Sequence, residues 1–292
     1  LRGDPCPVYQ EACFGLGEYV VMKLDMGAAW NEATRMISAN RELVAIIAGI
    51  FVFLPAIVLA VIAPGVAAGP TDMNPDDPMA AMTEFYSANG IWIFVLALIN
   101  AIGSLSLFAL FTDQRPTVGD AISTGVKTLL PYLVAQILLV LALAVILGVP
   151  VGLAATFGGP VAGVLVGIIA AVALIYVMIK VTLLAPAMVI GGILNPVNAL
   201  KASWNATKGN SLRLLLFFFL LGLAVVVVAA VFGLISGLFV AMLGTGSVAA
   251  MIGGALNGLV SAIWAVLIVA VISATYRQLS GPTAASVSET FE

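Results

Sequence analysis

Histidine is absent from this 292-residue chain, and Asp, Glu, Lys and Arg together make up only 9% of it. Without histidine there is no Ser-His-Asp triad and no imidazole general base. The two cysteines, Cys6 and Cys13, lie near the N-terminus, far from any apolar run. The rest of the chain therefore offers neither thiolate nor imidazole to zinc, and the reading assigns no metal, no cofactor and no catalytic residue. No GxxxxGK[ST] phosphate loop occurs. Soluble domains carry about 25% charged residues, so water is not the main solvent here. A soluble enzyme, a disordered chain, a nucleic-acid binder and a disulfide-stapled secreted domain are all excluded.

What is present is apolar length. Residues 43–71, 85–112, 128–179 and 214–276 contain no charged side chain. About 20 apolar residues cross a bilayer as a helix, and the last two blocks are each long enough for two crossings. The expected fold is an all-α polytopic membrane protein with six transmembrane helices. Their expected limits are 43–63, 91–111, 132–149, 160–180, 212–240 and 248–276, within a membrane domain of residues 22–279. Pro64-Gly65, Pro131, Gly148 with Pro150, Pro160 and Gly244-Thr245-Gly246 supply the boundaries. Residues 280–292 read as a flexible tail. Residues 1–21 precede the first methionine, Met22, and lack a signal-peptide pattern. They read as a translated upstream stretch or an expression remnant, with a flexible tail as the alternative.

Basic residues orient the bundle. Lys23, Arg35 and Arg41 precede span one, and Arg115 and Lys127 separate spans two and three. Lys180, Lys201, Lys208 and Arg213 lie between or beside spans four and five, and Arg277 follows span six. The connections 64–90, 150–159 and 241–247 contain no Lys or Arg. The positive-inside rule makes the basic side cytoplasmic, with both termini inside. The outer segment 64–90 carries Asp72, Asp76, Asp77 and Glu84. It reads as a solvated loop with a short surface helix over 78–88 ending near Asn89-Gly90.

A helical-period segment precedes each odd-numbered span: 28–37, 118–129 and 197–208. The first and third share Trp-Asn, then Ala-Thr and a basic residue. In the second, Ile122 stands in the tryptophan's place and Lys127 follows five residues later, as Arg35 follows Trp30. Such helices lie in the interface plane, with Trp at headgroup level and Lys or Arg against lipid phosphates. Trp30, Arg35, Lys127, Trp204 and Lys208 are the expected headgroup contacts. The chain reads as three copies of one unit: interfacial helix, span, outer turn, returning span.

Within the spans, Gly159, Gly163 and Gly167 recur every four residues, as do Gly233 with Gly237 and Gly254 with Gly258. This spacing opens a groove for close helix approach. Asn100, Gln136 and Asn257 are amides at membrane depth, expected to join helices by hydrogen bonds or, alternatively, to line a polar path. Lys180 is expected to snorkel to the inner interface. The run Val181–Ile193 is too short to span and is expected to break at Pro186, as a bent continuation of span four or an interfacial segment.

Leu184-Ala185-Pro186-Ala187-Met188-Val189, followed by Ala199-Leu200, Ser203-Trp204, Thr207 and Gly209, resembles the signature of the membrane domain fused to some bacterial glycerophosphodiester phosphodiesterases. It is also similar to a group of uncharacterised six-span inner-membrane proteins with the same pre-span helices, and the resemblance implies a bacterial cytoplasmic (inner) membrane as the location. The likeness covers roughly residues 24–279. Many members carry an acidic residue shortly after the Pro-Ala-x-Val; Gly191 and Gly192 stand there in this chain. The resemblance implies architecture and carries no catalytic residue across. The function expected is a non-enzymatic, lipid-facing scaffold or envelope-maintenance role. Its partners would be membrane lipids and a protein partner or second copy of the chain, with no nucleic acid. The alternative is a transporter or channel for a small or amphipathic molecule, using the Pro186 break and the three amides.

Overall fold

In the computed structural model, residues 23–63, 65–66, 69, 78–112, 116–243 and 247–280 are described. Among them there is no strand, and six helices are long and apolar enough to cross a membrane: Arg41–Ile62, Met79–Leu110, Val118–Phe157, Val161–Val189, Ser211–Phe239 and Met251–Ser280. The chain is an all-α, polytopic integral membrane protein. Residues 1–22, the acidic stretch 70–77, the Gly244-Thr245-Gly246 turn and the tail beyond Ser280 lie outside the described residues.

An amphipathic helix, α1 (Met26–Ala39), opens the fold, its N-terminus capped by the Asp25 side chain accepting from Ala28 N–H. Span one is α2 (Arg41–Ala48), a π-turn (Gly49–Phe53) and α3 (Leu54–Ile62). Span two is α4 (Pro78–Leu110). Span three is α5 (Val118–Leu143), a second π-turn (Ala144–Gly148) and α6 (Val149–Phe157). Span four is α7 (Gly159–Val181), followed by a short α8 (Leu184–Val189) and the amphipathic α9 (Pro196–Ala206). Spans five and six are α10 (Ser211–Leu243) and α11 (Ser247–Ser280).

Several breaks expected from glycine and proline are not breaks. The separate surface helix over 78–88 does not exist as such, because α4 runs unbroken through Asn89-Gly90. Asn89 donates its amide to the Phe85 carbonyl at 3.0 Å, on its own helix. Pro131 lies inside α5, and the helical path continues through Pro150 to Phe157, so span three is far longer than 132–149. In hydrocarbon a freed backbone group has no water to turn to, so helix continuity wins over local propensity. The two π-turns show how. Each ends two residues before a proline, Pro55 or Pro150, and the wider turn lets the hydrogen-bond ladder step past a residue with no N–H. One consequence is that the second amphipathic segment is fused end-on to its span, where α1 and α9 are separate helices.

The spans converge at the basic end. Arg277 at the end of α11 bonds the Phe111 carbonyl after α4, and Leu24 N–H donates to Asn210 before α10. Ser203 on α9 donates to the Lys180 carbonyl on α7, at 2.7 Å. The main core lies here, with Ile47, Leu105, Leu107, Phe111, Leu214, Val271 and Ala274 buried. Toward the middle of the bundle the spans expose large apolar side chains such as Leu138, Ile169 and Leu223, as expected for surfaces solvated by lipid chains.

Candidate functional site

Burial follows one rule in all three amphipathic segments. Counting from Trp30, the residues one before, three after and six after are Ala29, Ala33 and Met36, all buried. From Ile122 they are Ala121, Gly125 and Thr128, again buried. From Trp204 they are Ser203, Thr207 and Asn210, buried once more. Small residues at i and i+4 let each segment lie close on its neighbour, as in membrane helix pairs. The neighbour is the end of the preceding unit's returning span: α1 lies on α11, the start of α5 on α4, and α9 on α7. The three units thus close in a ring.

This seating turns the expected headgroup residues outward. Trp30 is 40% and Trp204 42% exposed, and Arg35, Lys127 and Lys208 are all exposed. Arg35 pairs with Glu32 one turn back at 2.7 Å, and that hydrogen bond and charge hold its guanidinium pKa above the ordinary value. Trp204 has a second role. Its ring meets Tyr176 edge-on, with centroids 6.0 Å apart, and the Lys180 ammonium lies 5.5 Å from both ring centroids. Lys180 does not snorkel freely; it is 2% exposed, its charge held against two aromatic faces.

Pro186 is not where the chain breaks. The interruption falls at Thr182-Leu183, and Pro186 is the third residue of α8, where its missing N–H costs nothing because first-turn amides have no intrahelical partner. The signature-like segment is a buried plug: Leu184 and Met188 lie against Ala135 and Ala199, and Leu183 and Ala187 against Tyr276. Gly191 has no room for a side chain. A Cβ there would meet the Tyr276 hydroxyl and lie 2.6 Å from the Ala187 carbonyl oxygen.

The intramembrane amides do not tie helices together. Asn100 donates to the Leu96 carbonyl at 2.9 Å, Gln136 to the Tyr132 hydroxyl at 2.7 Å, and Asn257 accepts from the Ser261 hydroxyl at 3.2 Å, each on its own helix. Asn257 faces a crevice between α10 and α11. The expected glycine groove is likewise split. Gly159 turns the α6–α7 hairpin at φ +73°, and Gly163 faces Ala155 across that hairpin, while Gly167 has open space where a side chain would be. Gly233 and Gly237 are open too; Gly254 and Gly258 do seat α11 against Ala60 and Ala56. Two tighter crossings escaped the sequence reading, Gly103 against Phe51 and Gly125 against Ser106. The Ala-x-x-x-Gly spacing of Ala121 and Gly125 was the available signal.

Comparison with protein-family models, with curated proteins and with solved structures found no match to this chain.

Proposed function

We propose that this protein is a non-enzymatic, lipid-facing membrane scaffold whose basic end engages the anionic headgroups of the inner leaflet. The observation that carries this reading is the common seating of the three amphipathic segments. Each hides small residues and leaves Trp30 and Arg35, Lys127, or Trp204 and Lys208 exposed at one end of the bundle. Exposed indole rings suit the headgroup level, and basic side chains beside them suit phosphate. By the positive-inside rule that end is cytoplasmic, with both termini on the same side. A bacterial inner membrane, rich in anionic lipid, is the setting this charge pattern fits. The resemblance to the membrane domain of glycerophosphodiester phosphodiesterases supports the same architecture.

The test is lipid selection by the full-length protein. Equilibrated with equal phosphatidylglycerol and phosphatidylcholine, then isolated, it should retain mostly phosphatidylglycerol. With about 1 kcal/mol per basic residue near the surface, the triple variant Arg35→Gln, Lys127→Gln, Lys208→Gln should lower that preference at least about tenfold. An unchanged lipid ratio in the triple variant would refute the reading.

A further inference from the structure

A crevice of about 260 Å³ opens between α10 and α11, lined among others by Val225, Gly233, Ser236, Asn257, Ser261 and Trp264. Its polarity is graded along the membrane normal. Gly233 is twenty residues from Arg213, and Asn257 is twenty from Arg277. Both therefore lie about 30 Å of helix from the basic end, which is roughly one hydrocarbon thickness. Val225 and Trp264 are twelve and thirteen residues from the same two arginines, or about 18–20 Å, at the depth of acyl chains. The amide and Ser236 thus sit at the interface opposite the basic end, with apolar and aromatic wall running down toward the midplane.

Asn257 is incompletely satisfied. One pole of its amide bonds Ser261, and among the described residues nothing takes the other, whichever way the amide is turned. Asn257 is exposed on the bundle surface, so this pole meets the surrounding interface. At that depth the ester carbonyl of a lipid, at the boundary between headgroup and acyl chain, is an acceptor within its reach. The chain attached to it would run down the apolar wall. A Cβ built at Gly233 has no atom within 4 Å, so the glycine keeps this space open without any packing need for it.

We propose that the α10–α11 crevice binds one acyl chain of a glycerolipid from the leaflet opposite the basic end, its ester carbonyl accepting a hydrogen bond from the Asn257 amide. The site is independent of the headgroup contacts, which lie at the other end of the bundle.

The experiment uses the full chain with Trp264 as its sole tryptophan, Trp30, Trp92 and Trp204 being replaced by Phe. It is reconstituted in zwitterionic phosphatidylcholine, so that headgroup charge plays no part. Chain-brominated ester lipid is added as a minor component to dialkyl-ether host lipid, and brominated ether lipid to ester host. Quenching of Trp264 should be at least about twofold greater in the first case, the low end of one net hydrogen bond. Gly233→Leu, which fills the crevice, and Asn257→Leu should each bring the ratio to one, while Gly237→Leu, outside the crevice, should leave it unchanged. Helical content and monodisperse elution check that each variant folds. A ratio of one in the parent, a ratio that survives Gly233→Leu, or equal loss in Gly237→Leu would overturn the proposal. So would Trp264 emission that no brominated lipid quenches, which would place protein in the crevice.

Discussion

The Arg277 guanidinium donates from Nη2 to the backbone carbonyl of Phe111 at 2.6 Å, joining the end of the sixth span to the end of the second. Phe111 follows the last helical residue of α4, so its carbonyl has no helical donor of its own. The other side of the same guanidinium faces Glu32 of α1, with Nη1 at 3.7 Å. One side chain therefore joins the last unit of the chain to two helices of the first.

The two halves of that bridge differ in weight. A charged hydrogen bond to a part-buried carbonyl contributes about 1.5–3 kcal/mol, whereas a long, solvent-touched ion pair contributes about 0–1 kcal/mol. Arg277→Met should lower the thermal midpoint of the detergent-solubilised protein by several degrees, and Glu32→Gln should move it little. Equal shifts in a thermal melt would show that the ion pair, not the carbonyl contact, holds the joint.

Glycines that look alike in sequence should respond oppositely. A Cβ at Gly125 would lie 3.0 Å from the Ile102 carbonyl oxygen and clash with the Ser106 hydroxyl. Gly125→Ala should therefore force α4 and α5 apart, at about 1–3 kcal/mol. Gly167 has nothing within 4 Å of that position, and alanine suits a helix interior better. Gly167→Ala should be neutral or slightly stabilising. Thermal melts of the two variants decide the matter, and a destabilised Gly167→Ala would mean that α7 meets a partner there.

The orientation proposed from the charge distribution is open to direct measurement. Reporters fused after residues 75, 158 and 245 should all read as outside the cytoplasm, and reporters after 115 and 209 as inside. A single inversion would break the six-span alternation on which the headgroup reading stands.

The number of spans and the gathering of basic residues were legible because both rest on length and charge, quantities that a bilayer reads directly. Uncharged runs such as 214–276 leave the backbone no option but helix. Boundaries were less legible. Asn89-Gly90, Pro131 and Pro150 carry turn signals calibrated on water, where a freed amide finds another partner; here the helix continues through all three, and at Pro150 a π-turn absorbs the mismatch.

Which side chains face inward was decided by the tertiary structure alone. Helices α10 and α11 are apolar on every side, so no periodicity marks the crevice at Asn257, and nothing near Lys180 in sequence announces that Trp204, twenty-four residues later, will cover it. The sequence by itself determined that this chain is a membrane bundle with one basic end, since solvation of charge and backbone is a local matter. The fold decided which glycines touch, which amide lacks a partner and which lysine is enclosed, since each of these depends on what a neighbouring helix brings to the same point.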